Sequence, residues 1–106
     1  MSENSAGSPA LPETPAVILA PEMLDHAATS ALAEKLTARR GAPVLVDVSA
    51  TRFLGGQSLQ ILLAAARAWR AERTAFDLVN FTPDLDEQSR LLGVDLGLLA
   101  HGELPQ

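Results

Sequence analysis

Apolar positions follow two different rhythms along this chain, and the switches between them mark its elements. Pro15-Ala16-Val17-Ile18-Leu19-Ala20 is a short β-prone run, closed by Pro21, which has no N–H to give to a strand ladder. From Asp25 the period lengthens: Ala28, Leu32 and Leu36, flanked by Thr29 and Ala33, recur every three to four residues, which predicts a helix to about Arg40. Asp25 suits its N-cap. Gly41 suits the position just past its end, after two cations, Arg39 and Arg40.

Val44-Leu45-Val46-Asp47-Val48 is β-branched and nearly continuous, the pattern of a central strand covered on both faces. A helix is predicted from Gly56 or Gln57 to about Arg73, then a strand over Ala75 to Phe81 that alternates Phe76 and Leu78 against Asp77 and Val79. Thr82-Pro83 reads as a helix start, a capping hydroxyl followed by proline where its missing N–H costs nothing, and Gly93 ends that helix. Val94 to His101 fits either a last piece of strand or a short helix. The order β, α, β, α, β, α with short connections predicts a single α/β domain, a mostly parallel sheet with helices packed on it. We assign residues 15–102 to that domain. Residues 1–14 are rich in Ser, Pro, Gly and Ala and are expected to be a disordered tail, and residues 103–106 a short C-terminal tail.

Composition narrows the function classes. A chain of 106 residues with 47% hydrophobic but only 4% aromatic residues must build an aliphatic core of Leu, Val, Ile and Ala. Its net charge of -5 repels phosphate backbones and anionic lipid, so neither nucleic acid nor direct membrane insertion is expected. Cysteine is absent, which removes disulfides, a thiolate nucleophile and the usual zinc spacings, and fits a reducing cytoplasm. The run Ala16 to Ala20 is too short to span a bilayer and follows Glu13 rather than a basic segment, so no export signal is read.

The catalytic inventory is thin. His26 lies in the first turn of a helix and His101 near the C-terminus, both read as solvated or lightly packed residues. Asp47, beside Ser49, is read as a structural carboxylate that holds backbone N–H groups of the following turn. Asp84, Asp86 and Glu87 complement the dipole at the start of their helix. Gly55-Gly56 precedes a helix, where backbone N–H groups can hold an anion, but the Walker spacing and its lysine are missing, and a tight glycine turn explains the pair. No enzyme, metal or cofactor is expected.

The helix after that glycine pair is the most informative element. At 100° per residue Leu59, Leu62, Leu63, Ala66 and Trp69 share one face, which should cover the sheet. The other face carries Gln60, Ile61, Ala64, Ala65, Ala68 and Ala71, rimmed by Arg67, and is more apolar than a solvated face needs to be. Small side chains there permit close approach by a partner; exposed alanines also simply favour helix. The docking reading takes Leu54, Gly55, Gly56, Gln57, Ser58, Gln60, Ile61, Ala64, Ala65, Arg67 and Ala68 as partner-binding residues.

Val44 to Ser49, then Leu59-Gln60-Ile61-Leu62-Leu63-Ala64-Ala65, Phe76-Asp77-Leu78-Val79 and Gly93, as an ordered set, resemble the STAS domain over roughly residues 15 to 100. In anti-sigma factor antagonists of that family the corresponding loop reads Asp-Ser-Ser-Gly, and its first Ser is phosphorylated by a partner kinase. The resemblance places Gly55 at the Asp, Gly56 at the phosphorylated Ser, Gln57 at the second Ser and Ser58 at the Gly. The usual phosphoacceptor is therefore absent, and Ser58 is the substitute candidate for phosphorylation. The Leu-Gly-Gly-Gln-Ser-Leu-Gln stretch is similar to that of small STAS proteins of bacterial chemotaxis systems. That resemblance implies a non-catalytic adaptor of a chemotaxis histidine kinase or similar signalling kinase. The alternatives it implies are an anti-sigma factor antagonist bound by an anti-sigma-type kinase, and a cytoplasmic STAS subunit of a lipid-transport ABC complex.

Overall fold

The computed structural model describes residues 14–100, so the expectations for His101 and for most of both tails lie outside the described residues. Among the described residues five strands and four α-helices follow one another: β1 (Ala16–Leu19), β2 (Met23–Leu24), α1 (Thr29–Thr37), β3 (Val44–Asp47), β4 (Phe53–Leu54), α2 (Gly56–Ala71), β5 (Phe76–Val79), α3 (Pro83–Leu91) and α4 (Leu96–Ala100). The main sheet has the order β1-β3-β5 and is parallel throughout, with Val44 opposite both Ala16 and Phe76. A parallel sheet with helical crossovers is thus what the alternating pattern produces, with Val44 to Asp47 at its centre.

The local signals act as their chemistry requires. Asp25 accepts a hydrogen bond from the Ala28 N–H at 3.1 Å, capping a single 3₁₀ turn, His26–Ala28, that leads into α1. The α-helix proper therefore begins at Thr29, four residues after the capping aspartate. Thr82 accepts from the Leu85 N–H at 3.1 Å, and Pro83 opens α3. Gly93, at φ 88°, closes α3: its own N–H donates to Arg90 O and the next, of Val94, to Ser89 O, both at 2.9 Å. A side chain with a Cβ would strain at that positive φ.

One open alternative is resolved, and two features differ from the pattern-based expectation. Val94 to Ala100 resolves in favour of helix, since Leu96 and Leu99 point into the core and α4 packs against β5. A second small sheet, β2 paired with β4 in parallel, was not legible, because two residues are too few for a period to show. Strand β3 is fully covered on one face only: Val44 and Val46 are buried, whereas Leu45 and Asp47 are half-buried. The other face of the sheet is thinly covered, and on β1 it leaves Val17 and Leu19 exposed.

One aliphatic cluster holds the fold together. It runs from Ile18, Val44, Val46, Phe76 and Leu78 on the strands to Leu32, Leu36, Leu59, Leu62 and Leu85 on the helices, with Leu96 and Leu99 closing it. Trp69 is its largest member. The indole Nε1–H donates to Ala42 O at 2.7 Å, the ring tilts against Phe76 at 6.1 Å between centroids, and the Arg40 guanidinium sits 5.6 Å from the ring centroid. Arg40 also pairs with Glu72, so one side chain of α2 ties the α1–β3 connection to the end of its own helix.

Candidate docking surface

The loop before α2 is fixed by backbone and side-chain bonds. Pairing of β2 with β4 brings the Gly55 N–H to Leu24 O at 2.8 Å, and Arg52 N–H donates to Glu22 O at 2.8 Å. Gln88 of α3 clamps the same loop from the other side, accepting from Leu54 N–H at 2.9 Å and donating to Arg52 O at 2.8 Å. Thr51 Oγ1 donates to Pro21 O at 2.8 Å. A loop so held presents its outward groups in one geometry, which lowers the entropy lost on binding.

The two glycines have different reasons to be there. A Cβ on Gly55 would lie 3.2 Å from Leu24 O and 3.3 Å from Phe53 Cε2, so close strand approach requires glycine. Around Gly56 nothing lies within 4 Å of such a Cβ. Gly56 stands exposed at the first position of α2, and packing does not account for the lack of a side chain. The helix start has no side-chain cap: Gly55 occupies the N-cap in extended conformation, φ -84° and ψ 162°.

The partner-binding residues read from the sequence separate into three groups. Gly56, Gln57, Gln60, Ala64 and Arg67 are exposed, and with Ala71 they form a single stripe down α2. Gly55, Ile61 and Ala68 are half-buried, the latter two packed against the core. Leu54, Ala65 and Ser58 are buried, which corrects their assignment to a contact surface. The reason is α1, which lies against α2 and makes a shallow groove lined by Ala33, Leu36, Ile61, Ala65 and Trp69. Helix α2 thus buries the sheet-facing side its own sequence predicts, and α1 covers a second flank that no wheel can show.

Ser58 needs the firmest correction. Its side chain is 0% exposed, with Oγ 3.5 Å from Thr29 Oγ1 under the start of α1. A kinase has no access to that hydroxyl in this packing. Three residues outside the sequence-based set join the surface instead. Met23 and Phe53, opposite each other in the small sheet, are 47% and 42% exposed beside Gly55, and His26 Nδ1 is hydrogen-bonded to the side chain of Gln57. Their signal in the sequence is a large apolar residue within a turn region, which becomes readable only once β2 and β4 are known to pair.

Asp47 keeps its structural role. Its carboxylate accepts from the Ser49 N–H at 2.9 Å and from Asn80 Nδ2 at 3.3 Å, tying the ends of β3 and β5 together. Asn80 is left-handed at φ 65°, a conformation asparagine tolerates. The Ser49 backbone bond first, then the Ser49 hydroxyl and the Asn80 amide, hold the Asp47 carboxyl below the usual aspartate value. A depressed carboxyl stabilises the fold above its unfolded-state pKa and loses that contribution as pH falls through the folded value. An NMR titration should place the Asp47 midpoint below an ordinary aspartate, with Asn80→Ala moving it back up; an ordinary midpoint in the native protein would remove this tie. Among the described residues no group of three or more His, Cys, Asp or Glu side chains is placed to hold a metal.

A rigid loop, an uncapped helix start and a stripe of mostly small side chains that runs to Arg67 lie together on one α/β module. A sequence-family model described as "Mlab, STAS domain" matches residues 9–100, and the chain belongs to the STAS family. STAS domains are in general non-catalytic modules that bind protein partners. Comparison with curated proteins and with solved structures returns no match. No helix among the described residues is long and apolar enough to cross a membrane.

Proposed function

We propose that this domain, residues 15–102, is a cytoplasmic adaptor that docks on a signalling kinase, of the chemotaxis histidine-kinase kind, through the start and outer stripe of α2. The observation that carries this reading is the continuity of one surface. Exposed Met23 and Phe53 adjoin Gly56 and Gln57, and the stripe runs on through Gln60 and Ala64 to a single cation, Arg67. Apolar anchors beside a small-residue helix face are the composition of an interface centre with a polar rim. Gly56 in place of the phosphorylated serine of the antagonists means that control of binding lies in the partner and not in this loop. The same surface would serve a cytoplasmic subunit on the ATPase of a lipid-transport ABC complex, a reading favoured by the Mlab description of the matched family.

Affinity capture of the tagged full chain from its own cells, read by mass spectrometry, decides between them. A signalling kinase in the captured set supports the first reading, and transporter subunits alone support the second. Ala64 is exposed and its neighbours on the stripe are small, so Ala64→Glu should weaken binding to the captured partner at least ~10-fold, by burying a charge at the contact, with an unchanged melting temperature. Undiminished binding by Ala64→Glu would move the interface off this stripe. Ile61→Glu is the poorer probe, since Ile61 packs on the core.

A further inference from the structure

Three arginines near the end of α2 stand apart from others in the chain. Among the described residues Arg40 pairs with Glu72, Arg52 with Glu22, and Arg90 with Asp86 and Asp95. Arg67, Arg70 and Arg73 are exposed and pair with no described residue, although the chain carries thirteen acidic side chains against eight basic ones. They follow one another three residues apart, so like charges are neighbours along the helix surface, an arrangement that costs stability. Glu72, the one acid within this stretch, is turned to Arg40 instead.

Arg73 shows the cost most directly. Helix α2 closes with the Arg73 N–H on Arg70 O at 3.0 Å and the Thr74 N–H on Trp69 O at 2.9 Å, the bond pair that goes with a left-handed residue after the helix. That residue is Arg73, at φ 56°, where α3 uses Gly93 at φ 88°. A Cβ is strained there, and a cation for the helix dipole is already supplied in the last turn by Arg70.

These side chains line a groove. Between the end of α2 and the start of β5, Ala66, Arg70, Arg73, Thr74, Phe76 and Asp77 surround about 410 Å³, on the flank of α2 away from α1. Ala66 and Phe76 are buried and apolar. The acid among them, half-buried Asp77, forms no ion pair with either guanidinium.

We propose that this groove binds an acidic peptide segment of a protein partner, with two or three successive carboxylates seated on Arg67, Arg70 and Arg73. Guanidinium forks take carboxylates bidentately. Range decides against larger polyanions: Arg67 to Arg73 spans roughly 9 Å by helical rise, about one Debye length at physiological salt, so only charges inside the groove feel mainly these cations. Farther out, the remainder of the chain, more acidic than its net charge of -5, repels an extended phosphate backbone or an anionic bilayer. A short carboxylate segment avoids that field. Arg67 closes the exposed stripe of α2 and opens this row, so one partner can occupy both, and the groove holds its segment with or without the stripe.

Hexaglutamate, titrated into the isotope-labelled full chain and followed by amide chemical shifts, is the probe. Saturable shifts confined to Arg67 and to Arg70 through Asp77 are expected, with a midpoint of about a millimolar at low salt and at least ~10-fold weaker binding at about 0.5 M salt. Arg73→Gly is the deciding variant. It removes a guanidinium and relieves the left-handed backbone, so it should weaken hexaglutamate at least ~3-fold while the melting temperature stays or rises. Unchanged binding with a lower melting temperature would make Arg73 a structural residue and overturn the proposal. Arg70→Ser, at an exposed helix position, should weaken the peptide at least ~3-fold with native circular dichroism. Absence of saturable shifts at about 10 mM peptide, shifts centred elsewhere, or equally tight binding of a single-stranded oligonucleotide or phosphatidylglycerol vesicles would each overturn it as well. Hexaglutamate reads the groove without the captured partner, so failure here leaves the α2 stripe standing, and failure of the stripe leaves this groove standing.

Discussion

Trp69→Ala is expected to cost about 3–5 kcal/mol, the range for deleting a large buried aromatic side chain. For a domain of this size, whose whole stability is of the order of 5–15 kcal/mol, that leaves a chain close to unfolding at room temperature. Three interactions are lost at once: the bond to Ala42 O, the tilted contact with Phe76 and the Arg40 stack. The carbonyl of Ala42 is left to find water, and Arg40 keeps only Glu72. Since Trp69 is the single tryptophan, urea unfolding has to be followed by circular dichroism rather than fluorescence. Trp69→Phe retains an aromatic ring and should recover about half of the loss. A loss under about 1 kcal/mol for Trp69→Ala would mean that the indole is not the centre of this core.

Ser58→Asp should be nearly as damaging. The side chain is fully enclosed between α2 and the start of α1, with only the Thr29 hydroxyl nearby, so an aspartate there must bury a charge or take up a proton. Either outcome costs several kcal/mol. Ser58→Ala, which removes a long 3.5 Å contact and leaves no buried charge, should change stability by under about 1 kcal/mol. A Ser58→Asp variant as stable as the native protein would reopen Ser58 as an acceptor. Incubation with the captured kinase and intact-mass measurement addresses the same point directly: Ser58 is expected to gain no phosphate.

Much of the fold was legible in local chemistry. Asp25, Gly41, Thr82-Pro83 and Gly93 mark element ends because caps and left-handed glycines act within one turn of backbone. Gly41 at φ 91° and Gly93 at φ 88° show it directly. Val44 to Asp47 was recognisable as the central strand from β-branching alone, though not the partial cover on its second face. That cover depends on what packs above Leu45 and Asp47, and neither residue announces it.

The candidate site was legible in outline and displaced in detail. The small-residue helix face was found, but Ala65, Ile61 and Ala68 are covered wholly or in part beside α1, and the exposed stripe passes through Gln57, Gln60, Arg67 and Ala64, which also lines the rim of that groove. Phe53 and Met23 lie thirty residues apart, and only a two-residue pairing brings them to the same patch. Leu54, between the exposed Phe53 and the tightly placed Gly55, turns inward because strand residues alternate.

By itself the sequence determined the element types, their order and the aliphatic character of the core, since each depends on side-chain identity and on neighbours within a few positions. Tertiary structure alone decided which flank of α2 stays exposed beside α1 and that Ser58 is buried under the start of α1. Burial is a property of pairs of elements, and the angle at which α1 meets α2 is set by how their ridges interlock, which no single segment encodes.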